Sequence, residues 1–209
     1  MIGQIRRRMM MGGSAKPYDA EVEYLRNSEY GTYINTGIYP SNNTNIYIQV
    51  RNIAYPSNGR DFNYFGACED RWNGTGFNRG ISVNRLNNIY FFINNSYSYA
   101  YISEIPYYVI FTINVEGNKL TYQNTSVTGK AGTYHVSLPM YLWGNNVKNE
   151  PRYCNIADIF SFQVKEGNQV TLDLIPVRKN GVGYMYDKVS GQLFGNQGTG
   201  QFIIGPDKT

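Results

Sequence analysis

The sequence predicts an all-β fold, a two-sheet antiparallel sandwich, on three observations. Apolar and polar residues alternate at period two in several separate segments, as half-buried strands require. Turn-forming clusters rich in glycine and asparagine fall between those segments. No stretch carries a sustained i, i+3, i+4, i+7 apolar stripe with helix caps, because glycine or asparagine interrupts every candidate.

The elements follow in chain order. Tyr24 to Pro40 near the start, and Leu174 to Asp187 with Gly191 to Gly195 near the finish, read as paired β-segments that bracket the sandwich. Ile46, Ile48 and Val50 share one face against Tyr47, Gln49 and Arg51. Ile89 to Ile93 is more continuously apolar, the pattern of a strand covered on both faces. Phe111, Ile113 and Val115 alternate with Thr112 and Asn114, and Glu116-Gly117-Asn118-Lys119 then signals a hairpin into Leu120-Thr121-Tyr122. Phe160 to Val164, a turn at Lys165 to Gln169, and Val170 to Leu174 repeat that design.

A chain of 209 residues that is 42% hydrophobic can bury a substantial core as one domain. We expect a sandwich over residues 18–209 preceded by an extended arm over residues 1–17. Aromatic residues make up 15% of the chain and tyrosine alone supplies 20 positions, which suits a pleated surface whose ring packs while its hydroxyl reaches water.

The formal net charge of +4 resides in the arm. Arg6, Arg7, Arg8 and Lys16 stand among its 17 residues without an acid, and the remaining 15 basic residues equal the 15 acidic ones. A broad basic face for nucleic acid on the body is therefore not expected, and an electrostatic partner meets the N-terminus. Nothing approaches the ~18 apolar residues of a membrane span, nor the core of a signal peptide, so the expected site of synthesis and assembly is the cytoplasm. Cys68 and Cys154 form no disulfide framework, and reducing surroundings would keep them as thiols. The sequons at Asn42, Asn73, Asn94 and Asn124 follow from an asparagine-rich chain and carry little weight without secretion.

Catalytic chemistry finds little footing. Sandwich glycosidases need paired carboxylates projecting from one strand, and no Glu-x-Asp-x-x-Glu run is present. Glu21 and Glu23 could share a strand face, but at the opening edge they serve solubility; Glu69-Asp70 reads as loop. His135 is the only histidine, which argues against a nucleophile-base pair and against a histidine-cysteine metal site. Loop carboxylates and carbonyls leave calcium open as an alternative, but no Asp-rich loop marks a site for it, and no cofactor is expected.

Binding chemistry has more to work with. Tyr97, Tyr99 and Tyr101 fall on one face of a strand, followed by Tyr107, Tyr108, Tyr141 and Trp143, and such rings flanked by Asn and Arg side chains suit stacking on sugars. The competing reading, commoner for tyrosine, packs them between sheets or in a subunit contact. In the arm, Arg6, Arg7 and Arg8 can pair with acidic groups of a partner while Ile5, Met9, Met10 and Met11 fill irregular apolar gaps, with Gly12-Gly13 as a hinge. The competing reading there is a solvated tail.

The chain resembles the laminin-G-like, concanavalin A-type lectin/glucanase domains of gut Bacteroidales and their phages. The resemblance rests on Tyr24-Leu25 with Tyr33-Ile34-Asn35-Thr36-Gly37-Ile38, Phe65-Gly66-Ala67, Ile175-Pro176-Val177-Arg178, Gly181 to Asp187 and Gly198-Thr199-Gly200. It spans roughly residues 20–206 and implies a jelly roll whose first and last strands lie side by side. The arm is similar to the arginine- and methionine-rich beginnings of virion proteins in such phages. Together the resemblances imply a non-enzymatic auxiliary capsid or decoration protein, gripping shell subunits by its arm, assembled in the host cytoplasm, with a homo-oligomer and glycans as further partners. The alternative they leave is a carbohydrate-binding module of a tail or bacterial protein.

Overall fold

In the computed structural model the protein is described over residues 16–53, 62–69, 80–85, 89–93, 96–98, 107–129, 133–152 and 154–209. These residues contain strands and no helix. In chain order they are β1 (Ala20–Glu21), β2 (Leu25–Asn27), β3 (Ile34–Asn35), β4 (Thr44–Asn52), β5 (Phe62–Cys68), β6 (Gly80–Arg85), β7 (Ile89–Ile93), β8 (Ser96–Ser98), β9 (Ile110–Glu116), β10 (Lys119–Tyr122), β11 (Thr125–Thr128), β12 (Tyr141–Leu142), β13 (Asn145–Val147), β14 (Glu150–Arg152), β15 (Ala157–Glu166), β16 (Gln169–Lys179), β17 (Val182–Asp187), β18 (Leu193–Phe194) and β19 (Phe202–Ile204).

They form two sheets. The larger runs β11-β10-β9-β4-β15-β16-β17-β18, with β1 on β16 and β2 between β15 and β19. The smaller runs β14-β13-β5-β6-β7-β8, with β12 bridging β5 and β3. Among the described residues, pairing between the strands is antiparallel except between β13 and β5, which run parallel through Asn146↔Ala67 and Val147↔Cys68.

The period-two expectation holds along β4 and β9 and over Phe162 to Val164, and a β-bulge breaks it at Phe160. Along β4 the side chains of Ile46, Ile48 and Val50 point into the core, as do Phe111, Ile113 and Val115 along β9 and Phe162 and Val164 along β15. From the facing sheet come Ile34, Phe65, Ala67 and Leu142. Phe65 meets Phe162 across the interface with ring centroids 5.7 Å apart, so the core lies between the sheets. Each such fully buried side chain contributes roughly 1.5–3 kcal/mol.

The turns use the residues their backbones demand. Gly117 links β9 to β10 at φ +57° and Gly167 links β15 to β16 at φ +59°. Asn180 (φ +51°) and Gly181 (φ +75°) turn β16 into β17, with both central residues left-handed as a tight hairpin of matching twist requires. Pro176 interrupts the donor row of β16 where that strand leaves β15 and takes up β1, a position that tolerates a missing N–H.

The two ends of the chain clasp each other. Leu25, Arg26 and Asn27 of β2 pair with Ile204, Ile203 and Phe202 of β19, and Val22 bridges Asp207. The resemblance implied first and last strands side by side; here the last strand lies beside β2, while β1 pairs with β16. Of the arm, Lys16 and Pro17 alone fall among the described residues; Lys16 makes a 2.8 Å ion pair with Glu21.

Candidate functional site on the outer sheet face

The larger sheet turns one face to the core and the other outward, and strand register arranges the outward side chains in rows. β4 supplies Asn45, Tyr47, Gln49 and Arg51. Asn45 lies between Glu116 of β9 and Lys165 of β15; Tyr47 lies between Asn114 and Gln163; Gln49 lies between Thr112 and Ser161. In the fourth row, a β-bulge near Phe160 brings Asp158 opposite Arg51, whose other neighbour is Ile110. That row continues through Arg26 of β2 to Ile203 of β19.

The first two rows, with Gly167 and Asn168, line a shallow open groove of about 410 Å³. Asn45 is committed to the scaffold: it donates to Gly167 O at 3.0 Å and accepts from Gly117 N at 3.0 Å, tying two hairpin turns together. Tyr47 is 38% exposed. Among the described residues the side chains of Tyr47, Asn114, Gln163, Glu116, Lys165 and Asn168 make no hydrogen bond to protein. A ring bordered by amides that each donate and accept suits a ligand with a flat apolar face and a ring of hydroxyls.

The fourth row is built differently. Asp158 is fully buried although it points outward, because two guanidinium groups roof it. Arg26 donates through Nε at 2.6 Å and Nη2 at 3.3 Å, and Arg51 through Nε at 2.7 Å, with its Nη2 2.5 Å from the same carboxylate. Each arginine retains 24% exposure. The Arg51 guanidinium lies 4.9 Å from the Tyr24 ring and 5.3 Å from that of Phe160. The hydrogen bonds to Asp158 raise the Arg26 pKa above its ordinary value, outweighing the opposing effect of burial.

The residues singled out from the sequence are distributed as follows. Ile5, Arg6, Arg7, Arg8, Met9, Met10 and Met11 lie outside the described residues, as do Tyr99 and Tyr101; Tyr97 lies in β8, with its side chain outside the description. Tyr141 and Trp143 correct the sugar-platform expectation, because their rings are built into the interior. Tyr141 is 5% exposed and stacks on Tyr33 with centroids 4.6 Å apart. Trp143 is fully buried, donates Nε1 to Ala157 O at 2.8 Å and packs on Phe202. Leu142 between them is fully buried as well, so this short segment is covered on both faces, and the chain leaves β12 at Trp143 with φ +66°.

Other candidates are absorbed by the scaffold. Glu21 accepts from Lys16 and Tyr18, and Glu69 accepts from Ser137 N. Exposed His135 bridges Ser41. Cys68 and Cys154 are buried and not disulfide-bonded. Among the described residues, no three His, Cys, Asp or Glu side chains could hold a metal ion together, and no helix is long and apolar enough to cross a membrane.

Sequence reasoning placed Tyr47, Gln49 and Arg51 on the outward face of their strand but did not find the groove. Gln163, Asn114 and Asp158 are distant in sequence and meet them only through register. Compared with protein-family models and with curated proteins, this chain matches none.

Proposed function

We propose that this chain is a non-enzymatic display protein of a phage particle, an auxiliary capsid or decoration component. In this reading its N-terminal arm grips shell subunits and its jelly-roll, concanavalin A-like sandwich touches carbohydrate with the outer face of the larger sheet. The observation that carries the binding role is the open groove around Tyr47, where amide side chains with no protein partner surround an exposed ring. The clasp of β2 with β19 supports the jelly-roll assignment, since it brings the last strand of the chain beside one of its first.

The test has two arms. Full-length protein and a version lacking residues 1–16 are sedimented with purified phage shells; the reading expects the full chain to co-sediment and the truncated one to stay in solution. Both are then applied to a glycan array beside Tyr47→Ala, with binding expected from the first two and at least tenfold weaker binding from the variant. Shells that retain neither form defeat the particle role, and an array on which Tyr47→Ala binds like the parent defeats the groove.

A further inference from the structure

The outer face extends past the groove, and its far end has a different chemistry. From Asn45 to Arg51 the outward side chains of β4 run about 20 Å, taking ~3.3 Å per residue. Unpaired amides line the first half. Gln49, Thr112 and Ser161 continue the polar track and make no side-chain hydrogen bond among the described residues. The track ends on Arg51 and Arg26.

Those two arginines share one carboxylate, Asp158, so their end of the track carries a surplus positive charge. Asp158 engages the Nε and Nη2 edges of both. The Nη1 groups make no hydrogen bond among the described residues. The Arg51 guanidinium is restrained by the Tyr24 and Phe160 rings it packs on and by its bonds to Asp158. A planar guanidinium held in place with one N–H edge unspent is preorganised for a carboxylate. At the groove end Glu116 and Lys165 flank Asn45 and offset each other, which leaves the arginine row as the electropositive pole of the face.

Resting on the carbohydrate reading of the groove, we propose that the ligand is a carboxylated oligosaccharide, lying along β4 with a neutral ring on Tyr47 and a uronic or sialic acid group on Arg51 and Arg26. The polarity is set by charge: reversed, the ligand would bring its carboxylate to the offset Glu116 and Lys165 pair and leave the surplus positive charge unused.

Binding of the full chain to an alternating glucuronate–N-acetylglucosamine tetrasaccharide and to sialyllactose, each beside its uncharged methyl ester, tests this by calorimetry. At least one acid should bind ten or more times tighter than its ester, with an advantage that shrinks as salt rises. Arg51→Gln should bring acid binding down to that of the ester, whereas Tyr47→Ala weakens acid and ester together. Should Arg51→Gln fail to fold, Ile110→Glu serves: this position is 46% exposed and directly opposite Arg51, so the new carboxylate should repel the acid alone. Acid and ester binding equally would overturn the inference while leaving the glycan reading intact. Failure of both ligands, with a blank array, would overturn the inference and the reading together.

Discussion

Asp158 shows how much one side chain can organise on a sheet surface. A lone carboxylate removed from water is costly, and it is tolerated here because two guanidinium groups supply its hydrogen bonds. Asp158→Asn preserves shape but leaves both arginines without their counter-charge. Breaking a fully buried pair costs ~3–5 kcal/mol; since the arginines keep contact with water, we expect a loss of about 2–3 kcal/mol, read as a lower urea midpoint with unchanged slope. Asp187 answers to pH. Burial would push its pKa up, but the Ser190 hydroxyl and the amides of Asp173, Val189 and Ser190 outweigh that and hold it below the usual carboxylate range. A depressed carboxylate contributes stability that is complete above its unfolded pKa, near ~3.9, and lost as pH falls through the folded value. Urea midpoints should therefore drop below about pH 4, and Asp187→Asn should flatten that drop while lowering stability at pH 7. The thiols are the inert counterpart. Burial pushes Cys154 up to about 11, and Cys68 is 1% exposed. At pH 8 a thiol reagent should label neither until the protein is unfolded in guanidinium.

Among the elements, the terminal clasp sets the tightest demands, and they explain glycines that otherwise look incidental. A Cβ on Gly183 of β17 would come 2.7 Å from Leu25 Cδ2 and 3.2 Å from Phe202 Cβ, so β17 packs against β2 and β19 only without a side chain there. Gly183→Val should cost about 1–3 kcal/mol through overpacking, and calorimetry should show it as a Tm several degrees lower. Gly181 meets nothing within 4 Å but holds φ +75°. Gly181→Ala is therefore a pure backbone test, expected to cost about 1–2 kcal/mol. A neutral outcome at Gly181 would show that the β16–β17 turn can take another form. The hairpins at Gly117 and Gly167 were legible in the sequence because turn chemistry is local. The clasp contacts were not, since nothing near Gly183 in the chain reveals that Leu25 will approach it.

At the scale of the molecule, one core joins two sheets and the chain closes on itself. β2 lies between β15 and β19, so removing residues 201–209 strips β2 of one partner and opens the side of Trp143 that packs on Phe202. That truncation should abolish cooperative unfolding rather than merely lower the midpoint, a distinction visible in urea denaturation followed by fluorescence and circular dichroism together. The amino-acid sequence by itself determined the all-β class, the inward faces of β4 and β9 and the positions of the glycine turns, because side-chain alternation and positive φ are properties of neighbouring residues. Only the tertiary structure decided which outward residues became neighbours. Tyr47 meets Gln163, and Arg51 meets Asp158, across more than a hundred residues of chain, and Trp143 is buried against Phe202 of the last strand. Register between distant strands depends on the packing of the whole sandwich, so a surface assembled by register can be read only once the sheets are in place.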